Sequence, residues 1–364
     1  MPYICLYRTC PTMLNFIRPN IRAARAYAVA DLPAGWLKLD AMEVPYAFPP
    51  ELQSELAAQL ARADINRYPN PAASALPAAL RRAFPVPDTA ALALGNGSDE
   101  LIQFITLLFA RTDAKMLVLE PSFVMYRRNA ELFGMDCIGV PLKPDFTLDL
   151  PAVLNALAEH NPALIFLAYP NNPTGVPFAR ADVEAVIAAA SGAVVVDEAY
   201  GAFSRDSFLP QAGQPENLIV LRTLSKIGFA GLRLGYAAGA PAVMNELAKI
   251  LPPYNMNCLS LTAAEFALNN MDFINKNIEL LKQERTRLSN ALRGIAGATV
   301  FASEANFITV RLPDAEAAYQ KLLDNKILVK KLHGSHALLN NCLRLTIGTP
   351  EQNDAVLSVL LQAA

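Results

Sequence analysis

The chain has 364 residues, 53% of them hydrophobic, and a formal net charge of -2. That length and apolar content can fill a large core and a smaller second one. The near-neutral charge argues against a nucleic-acid binder and against a charged disordered tail. Five cysteines, Cys5, Cys10, Cys137, Cys258 and Cys342, are widely scattered. They form no CxxC pair or Cys/His cluster, so no metal site and no disulfide framework is expected, and the pattern fits a reducing cytosol. No uninterrupted apolar run is long enough to span a membrane, and a cytoplasmic location is expected. Residues 1–12 lack the basic start and apolar core of a signal peptide. They read as an extension with no assigned function, and Met13 as an alternative start.

In chain order, residues 39–46 form an extended segment after a Pro/Gly turn, and residues 50–63 have helical apolar spacing. Asn66-Arg67-Tyr68-Pro69 reads as a loop whose proline holds Tyr68 extended. A strand at 91–94 leads through Gly95-Asn96-Gly97-Ser98-Asp99-Glu100 into a helix at 101–110. Strand, glycine turn and helix N-terminus together make an anion site, with Ser98 read as the cap. An ordinary capped helix would use the same residues. A strand at 115–120 precedes Pro121-Ser122-Phe123. Further strand-like runs lie at 136–140, 163–168, 193–196, 218–221 and 235–238, with helical patterns at 123–133, 148–158 and 179–190. This alternation predicts an α/β fold whose seven strands form a mostly parallel sheet flanked by helices. Such sheets bind ligands at the carboxyl ends of their strands. Pro252-Pro253-Tyr254 reads as a hinge. Beyond it come a mostly helical stretch at 259–293, strands at 305–310, 327–330 and 342–348, and helices at 315–324 and 350–361, a smaller α+β unit. His160, His333 and His336 read as solvated side chains.

Three polar stretches follow buried runs. The run at 218–221 leads to Thr223-Leu224-Ser225-Lys226 and then Gly231-Leu232-Arg233-Leu234-Gly235-Tyr236. Burying an unpartnered ammonium is costly. A partly desolvated lysine loses proton affinity and becomes an amine nucleophile able to form a Schiff base with an aldehyde. Ser225 and Arg233 suit a phosphate. The plain alternative is a strand-edge lysine that reaches water. Upstream, Tyr169-Pro170-Asn171-Asn172-Pro173-Thr174-Gly175 and Val194-Val195-Val196-Asp197-Glu198-Ala199-Tyr200 bring an amide, a carboxylate and a tyrosine to strand ends.

In this order and spacing the set resembles the fold-type I pyridoxal-phosphate aminotransferases of class II, and among them the histidinol-phosphate aminotransferases. The resemblance runs from about Trp36 to the C-terminus. It implies pyridoxal 5'-phosphate as cofactor, with Lys226 as the Schiff-base lysine and Asp197 against the pyridinium nitrogen. Asn172 and Tyr200 would meet the ring hydroxyl oxygen, and Phe123 the ring face. Gly97, Ser98, Asp99, Ser225 and Arg233 would hold the phosphate, together with Tyr68 from the partner of a homodimer. Tyr27, Asn172, Lys330 and Arg344 would contact the substrate. Two departures stand out. Met42 and Val44 replace asparagines of an "LxxNENPxG" pattern, and Lys330 stands where an "hxVR" pattern has arginine.

The resemblance implies transamination between L-histidinol phosphate and 2-oxoglutarate, a step of histidine biosynthesis, with a small-molecule amino donor and a 2-oxo acid acceptor as partners. Alternatives are an aromatic amino acid aminotransferase, a threonine-phosphate decarboxylase, a non-catalytic cofactor-binding module and a cofactor-free α/β protein. The implied division is an extension and arm over 1–50, a large cofactor-binding domain over 51–255 and a small domain over 256–364.

Overall fold

The computed structural model describes residues 13–26 and 32–362. Residues 1–12 and Tyr27 lie outside the described residues. Twelve strands among them form two sheets: β1 (Leu37–Leu39), β2 (Ala91–Gly95), β3 (Lys115–Glu120), β4 (Asp136–Pro141), β5 (Leu164–Ala168), β6 (Ala193–Asp197), β7 (Leu218–Thr223), β8 (Gly235–Gly239), β9 (Thr299–Val300), β10 (Phe307–Arg311), β11 (Ile327–Lys331) and β12 (Cys342–Thr346).

The large sheet has seven strands in the order β2-β8-β7-β6-β5-β3-β4. The five from β7 to β4 pair in parallel, and β8 runs against both its neighbours. β2 therefore points the same way as the parallel strands. The carboxyl ends of β2, β3, β5, β6 and β7 share one edge. β5 to β8 are buried at every position, as expected for strands covered on both faces.

Successive residues feed opposite faces. Phe166, Val195, Ile219 and Leu221 pack with Leu101, Ile105, Ala130 and Leu247 of the helices Ser98–Phe109, Met125–Phe133 and Pro241–Ile250. Ile165, Leu167, Val194 and Val220 join the opposite core, with Val153 and Val186 of the helices Leu150–His160 and Arg180–Ala189. The chain visits β3, then the outer strand β4, then crosses back to β5 on the other side of β3. The connections after β3 and β5 thus leave on opposite faces of the sheet and open a crevice between them.

The second sheet has the order β1-β11-β12-β10-β9. β1, which ends where the segment read as extended begins, pairs in parallel with β11. The helix Met271–Leu292 backs this sheet. Its Arg285 donates to the Ala305 carbonyl at 2.8 Å and, more weakly, to that of Phe203 at 3.4 Å. Thr309 Oγ1 donates to the Pro173 carbonyl at 2.6 Å, and Ser204 Oγ to Glu304 Oε2 at 2.7 Å. The loops that follow β5 and β6 are thereby pinned to the second sheet. The closing helix Pro350–Leu361 starts on a reciprocal cap, with Thr349 Oγ1 accepting from Gln352 N and Gln352 Oε1 accepting from Thr349 N.

Two expectations need correction. Ser98 is the first residue of its helix rather than the cap. That place belongs to Gly97, whose φ of 82° suits a residue without Cβ. His333 and His336 are engaged: their Nδ1 atoms accept the backbone N–H groups of Asn341 and Leu338.

Candidate active site

The strand ends meet at one cavity, lined by Met42, Ser98, Asp99, Phe123, Asn172, Asp197, Tyr200, Ser225, Lys226 and Arg233 among others. Each arrives by a short local device. β7 stops at Thr223, whose hydroxyl donates to Ser225 Oγ at 2.9 Å and accepts the Ser225 N–H at 3.1 Å. This tight turn aims Lys226 inward. Its Nζ donates to the Ala41 carbonyl at 3.0 Å. Burial lowers the Lys226 pKa to about 8, helped by the nearby Arg344 and Arg233 and opposed by Asp99 and Glu43.

Asp197 closes β6 and is only 4% exposed. Its Oδ2 accepts the Tyr126 hydroxyl at 2.7 Å, and its Oδ1 accepts the Ala199 N–H at 3.0 Å. Burial pushes the carboxyl up to about 6, against those two donors and with the repulsion of Asp99 and Glu198. Just beyond, Glu198 is held by Arg222 of β7 at 2.6 Å in a buried ion pair, and it also accepts the Ser207 hydroxyl and the Phe208 N–H. That cluster fixes the exit of β6. Tyr200 is buried edge-on against Phe307, 5.1 Å between centroids, and burial raises its phenol pKa.

Asn172 joins the two sheets. Its Nδ2 donates to the Tyr200 hydroxyl at 3.3 Å, and its Oδ1 accepts from Arg344 of β12 at 2.6 Å. Arg344 also donates to the Asp40 carbonyl at 2.9 Å and lies 5.3 Å from the Phe307 centroid. The arm crosses here. Met42 donates to Thr346 Oγ1 at 3.1 Å and accepts from Asn306 at 2.9 Å. At the opposite end, Gly97, Ser98 and Asp99 begin the helix Ser98–Phe109, whose first N–H groups lack helical partners. Arg233, with φ of 50°, reaches Asp99 Oδ2 at 3.2 Å. A Cβ at Gly97 would stand 2.7 Å from the Arg233 guanidinium, and one at Gly235 would stand 2.5 Å from the Ser98 nitrogen. The backbone contact at Gly235 leaves no room for a side chain, whereas at Gly97 it is the positive φ that favours glycine.

Most of the residues singled out in the sequence converge here. Gly97 shapes the turn, and Arg344 adjoins the cavity through Asn172. Lys330 sits opposite Arg344 in the β11–β12 register, so the two side chains share a face, with Lys330 exposed. Tyr68 does not reach the cavity of its own chain. It is 82% exposed and stacks on Tyr254 at 4.9 Å. Sequence reasoning missed Tyr126, the Ala41 carbonyl and the cavity-lining role of Thr223. Only Tyr126 carried a signal, a tyrosine three residues after Phe123 whose buried hydroxyl requires a partner.

The aminotransferase class I and II family model matches residues 34–360. The chain belongs to that family. It is 62% identical over 351 residues to the histidinol-phosphate aminotransferase of Neisseria meningitidis serogroup B, covering 96% of each chain. It is 54% identical over 349 residues to that of Chromobacterium violaceum, covering 96% of this chain and 98% of the relative. Its fold matches the histidinol-phosphate aminotransferase of Sinorhizobium meliloti, solved in complex with pyridoxal-5'-phosphate. The TM-score is 0.86 at 24% identity, over 97% of this chain and 98% of that one. Among the described residues, no helix is long and apolar enough to cross a membrane.

Because burial holds the Lys226 pKa near 8, its neutral amine should appear well below the 10.5 of an ordinary lysine. Reductive labelling of Lys226 by a small aldehyde and borohydride, followed by peptide mass spectrometry, should rise through a midpoint near pH 8. A midpoint at that of a free lysine would contradict the burial argument.

Proposed function

We propose that this chain catalyses pyridoxal-phosphate-dependent transamination between L-histidinol phosphate and 2-oxoglutarate, giving imidazole acetol phosphate and L-glutamate, as a cytoplasmic homodimer in histidine biosynthesis. The observation that carries the chemistry is the buried amine of Lys226 and the buried carboxylate of Asp197 facing one cavity that ends at a helix N-terminus. The substrate rests on the 62% identity to a histidinol-phosphate aminotransferase.

The residues present fit the cofactor. A buried carboxylate suits a protonated ring nitrogen, and an amine of lowered pKa suits an aldehyde. Unpaired N–H groups of Ser98 and Asp99, with Ser225 and Arg233, suit a phosphate. Phe123 offers an aromatic face. Bound there, pyridoxal phosphate supplies a ring that draws negative charge from the substrate Cα. Lys226 would hold the cofactor's aldehyde group, and its amine would carry the proton at the substrate Cα. Asp197 keeps a proton at the ring nitrogen. Tyr200 and Asn172 hydrogen-bond the ring oxygen, and Arg344 grips the substrate's anionic end. The division into an arm over 1–50, a large unit over 51–255 and a small unit over 256–364 follows, with the substrate between the last two. Tyr27, outside the described residues, is proposed as a further substrate contact.

The direct test is Lys226→Ala. The purified wild type should carry a visible absorption band and a borohydride-reducible link to Lys226. The variant should lose both, along with transamination of histidinol phosphate. Retained activity would sink the assignment, and a wild type preferring phenylalanine would move it to an aromatic aminotransferase.

Lys330 lies across from Arg344 on the same face, which supports a role as a second cation for the substrate phosphate. A lysine supplies charge without the bidentate fork of arginine. Lys330→Ala should lower kcat/KM for histidinol phosphate by roughly ten-fold or more, the scale of one charge-assisted hydrogen bond. The loss for phenylalanine should be much smaller. Equal losses would show that Lys330 does not read the phosphate.

The exposed Tyr68, with Ile65 and Tyr254 also exposed beside it in sequence or space, supports a two-fold partner that places Tyr68 at the neighbouring cavity. Co-expressed Tyr68→Phe and Lys226→Ala chains should form hybrids with one wholly native site. Their activity per Lys226 should exceed that of Tyr68→Phe alone. A fully active species of 39.4 kDa in sedimentation would rule the shared site out.

A further inference from the structure

Tyr126 lies in the first turn of the helix Met125–Phe133 and is 1% exposed. Its ring stacks on Phe166, 4.6 Å between centroids and 9° between planes, and meets Phe123 edge-on at 5.6 Å. Its hydroxyl spends its proton on Asp197 Oδ2. Among the described residues, the one other donor to that carboxylate is the Ala199 N–H on Oδ1. Resting on the cofactor site proposed above, we propose that Tyr126 is a positioning residue for Asp197: its O–H holds the carboxylate ionised and oriented, so that the cavity-facing lone pairs are ready for the ring nitrogen. Through Phe123 the same ring braces the aromatic face of the cavity.

The charges around Asp197 make the hydroxyl matter. Asp99, across the cavity, and the adjacent Glu198 both favour its protonated form, as does burial. Tyr200 lies within electrostatic reach and is itself held neutral by burial. The nearby cations Lys226, Arg233 and Arg344 are turned to Ala41, Asp99 and Asn172. Tyr126 and Ala199 are the hydrogen bonds that oppose protonation. Without the Tyr126 hydroxyl the carboxyl must titrate at higher pH, because a donor to the charged form is lost. A tyrosine that merely filled space between Phe166 and Phe123 would be replaced by phenylalanine without that consequence.

Tyr126→Phe keeps the ring and removes only the hydroxyl, so it separates the two roles. Apoprotein would be titrated with pyridoxal phosphate from about pH 5 to 9 by fluorescence, spanning the Asp197 transition, with the Tm followed in parallel. In the wild type, affinity should fall on the acid side as Asp197 protonates. In Tyr126→Phe that edge should move upward by about one to two pH units, the scale of one hydrogen bond to a charged group. In Asp197→Asn the edge should vanish, and adding Tyr126→Phe there should change nothing further. An unmoved edge in Tyr126→Phe overturns the proposal, whether or not the Tm falls. A wild type that binds no pyridoxal phosphate at any pH overturns the cofactor site, and this role with it.

Discussion

Two opposite charges must be kept out of water at the ends of adjacent strands, and the rest of the structure is arranged around that requirement. Asp197 ends β6, and Lys226 follows β7 by three residues, with the two strands in parallel register. Burial disfavours both ionised forms, raising the carboxyl and lowering the amine. Each is sustained by a small number of partners: Tyr126 and the Ala199 N–H on one side, the Ala41 carbonyl on the other. Structural ion pairs can shift pKa values too. Here, however, both shifted groups face one cavity that also meets a helix N-terminus, a combination found at functional sites.

The cavity is completed by parts distant in sequence. Asn172 receives Arg344 from the second sheet, and the arm lays the carbonyls of Asp40 and Ala41 on Arg344 and Lys226. Met42 is held at a φ of 55°, an uncommon region for a side chain of its kind. Its backbone is pinned from both sides by Thr346 and Asn306. The surrounding contacts therefore impose the conformation, as strained residues near functional sites require. The asparagine of the related pattern would enter the left-handed region more readily. The chain has given up that ease and gained an apolar thioether at the cavity wall.

The relatives bear differently on these features. Identity of 62% across nearly the whole chain establishes the family. The solved structure, at 24% identity, speaks for the fold. Met42, Val44 and Lys330 depart from the related pattern, and each has a definite setting in the structure. Met42 lines the cavity, and Lys330 stands beside Arg344. Val44 packs, half-buried, against the larger core.

Local patterning by itself determined the seven strands of the large sheet, most helices to within two or three residues, and the location of the polar residues at strand ends. Each of those depends on short-range signals: apolar runs, glycine turns and the alternation of strand with helix. The lysine, carboxylate, amide and arginine of the site were legible because each follows such a run. Tertiary structure alone decided the rest. Pairing of β1 with β11 depends on a partner 290 positions away (Leu37 with Ile327) and has no local signature. The Gly97 cap was misread because Ser98 is the commoner capping type, whereas the turn places its positive φ one residue earlier, where glycine is favoured. Tyr126 was missed because its ring packs as core. Its hydroxyl acquires meaning only when the parallel register of β3, β5 and β6 brings Asp197 within 2.7 Å. A side chain's type can be read from its neighbours in sequence, but the partner that satisfies its buried polar atom is chosen by packing.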